Sequence, residues 1–153
     1  MDDVLILIDQ QKAMEHAKWG PRSNADAQRN IARLLAAWRA RKMPSPGETV
    51  VTKKVHSAFI GTDLRERLEA MGRPALVICG VLLANSVEAT VRLAGNLGFT
   101  VRLPADACWS CDKRDLTGRL WPAEDVHQRT LALLDGEYAT VTRTGAILAT
   151  AGA

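Results

Sequence analysis

The chain lacks most of what would mark a specialised class. Its 153 residues hold three cysteines (Cys79, Cys108, Cys111), two phenylalanines and one tyrosine. So few cysteines, and an odd number of them, exclude a disulfide scaffold. Charge of one sign is also missing: 20 Lys+Arg stand against 17 Asp+Glu, a net charge of +3. Such mild basicity without a clustered, aromatic-laced face gives no reason to expect nucleic acid as a partner. The longest apolar runs, Val4–Ile8 and Ala75–Ala84, fall far short of the ~18 residues of a membrane span, so no membrane partner is expected. Met1-Asp2-Asp3 is acidic where a secretory leader is basic, which points to a cytoplasmic, reducing setting. With no repeat, linker or low-complexity tract, residues 1–153 read as a single domain.

What is there is an alternation of strands and helices. Val4–Asp9 is a short apolar run closed by a carboxylate, as in a buried parallel strand. Ala27, Ile31, Leu34, Leu35 and Trp38 recur at helical spacing and predict a helix over Asn24–Lys42, with the arginines 29, 33, 39 and 41 on its solvent side. Met43-Pro44-Ser45-Pro46-Gly47 stops it. Thr49–Val55 reads as a strand, and Thr62 caps a helix running to Met71. Ala75–Leu83 reads as a central strand, followed by a helix with Val87, Thr90, Val91, Ala94 and Leu97 on one side. Phe99–Leu103, a helix over Pro122–Leu134, a strand at Ala139–Arg143 and a short terminal helix complete the order. The class is α/β, three-layer, with a mainly parallel sheet flanked by helices.

Ligands in such sheets bind beyond the carboxyl ends of the strands. Asp9, the Lys53–Ser57 region and Gly80–Ser86 are therefore the places to look. Each has a plain alternative: Asp9 as a structural ion-pair partner, Lys53 as an exposed strand residue, Ser86 as a helix cap. Cys108-Trp109-Ser110-Cys111 has CxxC spacing but no second pair of ligands, so no metal site and no cofactor is expected. Core packing or pocket lining suits these cysteines better.

Taken in order, the pieces resemble the isochorismatase-like superfamily of cysteine hydrolases, whose fold is Rossmann-type. Leu5-Ile6-Leu7-Ile8-Asp9-Gln10-Gln11 matches its opening strand and D-x-Q signature. Pro46-Gly47-Glu48, Lys53 and Ser57-Ala58-Phe59-Ile60-Gly61-Thr62-Asp63-Leu64 match its lysine strand, and Gly80–Arg92 matches the nucleophile turn. Asn96-Leu97-Gly98-Phe99, Asp106-Ala107 and His127 with Leu131–Leu134 follow. The resemblance implies a small-molecule substrate, a homodimer or higher homo-oligomer, and an Asp–Lys–Cys constellation. Carried over by position, the aspartate is Asp9 and the lysine Lys53. Lys54 would point to the opposite face, because side chains alternate along a strand. The turn's N–H groups would hold an oxyanion.

The nucleophile position, however, is Ser86. A thiol ionises near pH ~8.5; an alcohol lies far higher, and a helix dipole, worth at most ~2 kcal/mol, does not close that gap. Ser86 would need a dedicated base within reach. The neighbouring Leu83, Asn85 and Trp109 also depart from the family's pattern and, with Gln11, are read as substrate-binding residues of a remodelled pocket. The chain is short for the family, and the shortness localises between Pro44 and Gly47, where the usual second strand and its loop are missing. These features imply an enzyme acting without a thiol, with Asp9 as general acid or base beside Lys53, in vinyl-ether hydrolysis, isomerisation, cyclisation or elimination. A catalytically inactive binding or assembly protein and an amide hydrolase using Ser86 are the alternatives.

Overall fold

The computed structural model describes residues 3–41 and 48–151. The proline-rich turn at 43–47, and with it the predicted site of the shortening, lies outside the described residues. Four parallel strands make the main sheet: β1 (Val4–Ile8), β2 (Leu76–Val81), β3 (Val101–Pro104) and, late in the chain, β7 (Thr140–Thr142), in the order β1-β2-β3-β7. A two-residue strand, β4 (Cys108–Trp109), pairs with the end of β2. The predicted central strand is indeed central. Every residue of β2 is buried, because helices cover both faces and strands flank both edges.

Helix α1 (Ala27–Ala40) buries Ala27, Asn30, Ile31 and Leu34 and turns Arg29, Arg33 and Arg39 to solvent. Helix α2 (Leu64–Ala70) is entered through Thr62, whose hydroxyl accepts the Leu64 N–H at 3.3 Å and donates to the Ala58 carbonyl at 2.6 Å. Helix α3 (Glu88–Asn96) presents Thr90, Val91 and Ala94 to the core and closes at Gly98, whose φ of 78° an L side chain resists. Helix α4 (Ala123–Leu134) starts just after Pro122, and Asp112 accepts its first N–H at 2.8 Å. A hairpin of β5 (Lys113–Arg114) and β6 (Leu120–Trp121) precedes it, its turn held by the Asp115 carboxylate on Thr117, Arg119 and Trp121. Helix α5 (Thr144–Ala151) ends the described chain.

One predicted element does not form. Thr49–Val55 is not a strand: residues 48–53 have no ladder partners and 54–57 bend. Among the described residues no strand stands between α1 and α2, and β1 pairs only with β2. The segment's polar Thr49, Thr52, Lys53 and Lys54 offer no continuous apolar face, so without a neighbouring strand there is nothing to hold it in a sheet. Among the described residues no helix is long and apolar enough to cross a membrane.

Candidate active site

The site forms where β1 and β2 end side by side. Ile8 pairs with Gly80, and the two backbones lie so close that a Cβ on Gly80 would sit 2.2 Å from the Ile8 carbonyl oxygen. Immediately after that contact β1 ends at Asp9, which takes a left-handed conformation at φ 49°. Aspartate tolerates this region better than most residues, and such exceptions gather at functional sites. β2 runs through a cis Val81–Leu82 peptide into a π-helical turn, Leu83–Val87, that leads directly into α3. Ser86 lies in that turn, buried rather than capping a helix.

Lys53 arrives from the loop before α2. The loop is pinned by Ser57, Ala58 and Phe59, all buried, with Phe59 stacked on Phe99 at 5.8 Å between ring centroids. Thr90 ties this anchor to the Leu83–Val87 turn: its hydroxyl accepts the Ala58 N–H at 3.1 Å and donates to the Ser86 carbonyl at 2.7 Å. Thus α3 positions both the serine and the loop carrying the lysine. The Lys53 Nζ donates to Asp9 Oδ2 at 3.0 Å, to Ser86 Oγ at 3.4 Å and to the Val55 carbonyl at 3.3 Å. The three residues expected from the sequence to act together are brought together. Lys54 is exposed and takes no part.

Stability alone does not explain the Asp9–Lys53 pair. Their side chains are 24% and 15% exposed. At 3.0 Å and an effective dielectric near 20, attraction is on the order of 5 kcal/mol. Desolvation takes back several kcal/mol per ion. A pair that nearly breaks even adds little to holding the fold.

A fourth group was missed. His56 Nδ1 lies 3.4 Å from Ser86 Oγ. The strand expected over Thr49–Val55 concealed it, since alternation sends residues an odd number apart to opposite faces. Because the segment bends, Lys53 and His56 both reach the same hydroxyl.

Other expectations need correction. Leu83 and Trp109, read as pocket lining, are 0% and 1% exposed. Leu83 packs in the main core, being the first apolar residue of the turn beneath the sheet. Trp109 pairs with Val81 and fills a second cluster with Met14, Ala27, Leu82 and Cys111, the Arg22 guanidinium lying 4.3 Å over its ring. Gln11 is exposed and Asn85 half-buried. The turn N–H groups of Asn85 and Val87 are not free for an oxyanion, because both donate to the Leu82 carbonyl, at 3.1 and 3.2 Å. Nor does a cysteine stand in for Ser86. All three thiols are free and buried; burial holds the Cys79 and Cys111 thiols above their ordinary range and pushes Cys108 up to about 12. Among the described residues no three His, Cys, Asp or Glu side chains are grouped to hold a metal ion.

A family model, the isochorismatase domain, matches residues 44–144, which include Lys53, His56 and Ser86. The chain belongs to the isochorismatase family. The uncharacterized isochorismatase family protein YrdC of Bacillus subtilis is 32% identical over 174 residues, covering 94% of this chain and 93% of that protein. A crystal structure of an isochorismatase-family protein from Chromobacterium violaceum superposes with a TM-score of 0.92 at 44% identity, covering 97% of this chain and 92% of that one. The phenazine biosynthesis protein PhzD of Pseudomonas fluorescens is 36% identical over 87 residues, 53% of this chain and 39% of that protein. The α/β fold, with its mainly parallel sheet between helices, is the family's. The 174-residue alignment to YrdC holds only 94% of a 153-residue chain, so that relative carries extra residues inside the shared region. The Chromobacterium protein matches nearly end to end.

Proposed function

We propose that this chain is a small-molecule hydrolase of the isochorismatase family that works without a thiol, using Asp9, Lys53 and Ser86. The observation that carries the proposal is the placement of one ammonium, Lys53 Nζ, within 3.0 Å of Asp9 Oδ2 and 3.4 Å of Ser86 Oγ. A lysine can only donate. It therefore pairs with the carboxylate, and it supplies positive charge where an oxygen of the substrate becomes negative. Asp9 moves the proton, and its fixed left-handed backbone keeps the carboxylate at the end of β1. The same reading assigns the chain to a small-molecule substrate and to a homo-oligomer, checked by light scattering.

The test is turnover of a panel of small amides, esters and vinyl ethers by the wild-type chain, Asp9→Asn and Lys53→Met. Loss of about 100-fold or more in both variants, with circular dichroism unchanged, supports the reading. Undiminished turnover in both variants overturns the roles given to Asp9 and Lys53, and no turnover of any compound by the wild-type chain overturns the hydrolase reading in favour of a protein that keeps the fold for binding or assembly.

A further inference from the structure

We infer that Ser86 is a nucleophile and His56 its general base, so that the substrate class is an acyl compound, an ester or amide, cleaved through a seryl intermediate. The inference deepens the hydrolase reading above and rests on it, with one change of role: the serine's proton passes to His56, and Asp9 holds the Lys53 ammonium beside the serine oxygen. Two neighbours share the Ser86 hydroxyl, Lys53 Nζ at 3.4 Å and His56 Nδ1 at 3.4 Å. The ammonium has no lone pair, so toward Lys53 the serine oxygen is the acceptor. Its own proton is then directed to the other neighbour, which requires the His56 tautomer with Nδ1 unprotonated and the proton on Nε2. That is the arrangement a serine nucleophile needs: a base on the proton side and a cation on the oxygen side. Both contacts are long, as catalytic contacts are before substrate draws the groups together.

The placement is constructed rather than incidental. Ser86 is 5% exposed and held by the Thr90 bond to its carbonyl, while the loop carrying His56 is held by the Thr90 bond to the next residue but one, Ala58. One threonine on α3 therefore sets the distance between nucleophile and base. The base itself is exposed, so the water that attacks the acyl-serine can reach it.

The steps balance without a co-reactant other than water. Ser86 Oγ bonds to the acyl carbon as its proton passes to His56 Nδ1, and the carbonyl π pair moves onto oxygen beside the Lys53 charge. The carbonyl re-forms, the bond to the leaving alcohol or amine breaks, and that group departs with the proton from His56. Water, giving a proton to His56, then attacks the acyl-serine. The carboxylic acid leaves, and the serine recovers its proton.

The test needs no knowledge of the natural substrate. Diisopropyl fluorophosphate phosphorylates a serine that has a base: Oγ bonds to phosphorus, fluoride leaves, and the hydroxyl proton goes to the histidine. The wild-type chain is expected to take one adduct, mapped to Ser86 by peptide mass spectrometry, and Ser86→Ala none there. His56→Ala and His56→Gln are expected to slow labelling by about 100-fold or more, with added imidazole restoring part of the rate in His56→Ala. A purely structural role for His56 would not give that rescue. No adduct at Ser86 in the folded wild-type chain, or labelling of both His56 variants at the wild-type rate, overturns the inference. Failure here, with Asp9→Asn and Lys53→Met still abolishing turnover, would leave the hydrolase reading standing and the nucleophile assignment alone lost.

Discussion

Lys53 shows how much one side chain decides. Its ammonium is the shared neighbour of Asp9 and Ser86 and brings a positive charge to both. The same charge makes a prediction about a thiol placed at the family's nucleophile position. Ser86→Cys puts sulfur beside an ammonium at the turn leading into α3, where a thiolate is favoured. Iodoacetamide near neutral pH is expected to alkylate residue 86 at least about tenfold faster than Cys79, Cys108 or Cys111, whose thiols burial holds protonated. Adding Lys53→Met should remove most of that advantage, as followed by intact mass and peptide mapping. Equal alkylation with and without Lys53 would mean that the lysine does not govern ionisation at this position. Asp9 was readable because it closes an apolar strand, and Lys53 through its place four residues before Ser57 in the motif that carries the family resemblance. His56 was not, because its partnership depends on a bend that no residue spacing announces.

At the scale of elements, the site depends on two contacts between neighbours. The first is the close approach of β1 and β2 at Ile8 and Gly80. A Cβ at residue 80 would meet the Ile8 carbonyl oxygen at 2.2 Å, and Gly80 also stands at φ 130°. Gly80→Ala is expected to cost about 3–5 kcal/mol, or to prevent folding, in urea denaturation. A loss under 1 kcal/mol would mean the strands separate easily there. The second contact is Thr90, fully buried and bonded to both Ala58 and Ser86. Thr90→Val leaves the Ala58 N–H unpaired, so about 1–3 kcal/mol of stability should be lost. Turnover should fall with it, while Thr90→Ser, which keeps both bonds, stays near wild type. Most elements were legible in their patterns. β2 is an unbroken apolar run, α1 and α3 carry apolar residues at helical spacing, and Gly98 marks the end of α3. The loop at 48–57 was misread because a few residues with strand preference resemble a strand until the absence of a pairing partner is known.

On the scale of the whole molecule, polar groups buried away from the site shape its response to acid. His127 on α4 is 3% exposed, its Nδ1 has no hydrogen-bond partner, and it borders a cleft of about 180 Å³ shared with Asp106, Glu124 and Arg143. Burial lowers its pKa, with Glu124 and the Ala105 carbonyl acting in the opposite direction. The unfolded chain therefore takes up a proton before the folded one as pH falls. Stability present above the ordinary histidine range is lost below about pH 6.5, down to the lowered native value. Between pH 7.5 and 5.5 the wild-type urea midpoint should fall more than that of His127→Gln, by up to about 1 kcal/mol in stability. Parallel loss in both would exclude His127 as the source. The sequence by itself determined the class of fold, the order of most elements, the family resemblance, and the pairing of Asp9 with Lys53 at a site without a thiol. The fold class and element order follow from local periodicity, and the pairing of Asp9 with Lys53 is what the ordered motifs of the family resemblance imply. Only the tertiary structure decided that Leu83 and Trp109 belong to the interior, that the Lys53 segment is a bent loop, and that His56 reaches Ser86. Each of those outcomes depends on which distant residues fill the space beside a given side chain, and that is set by packing between segments rather than by the pattern within any one of them.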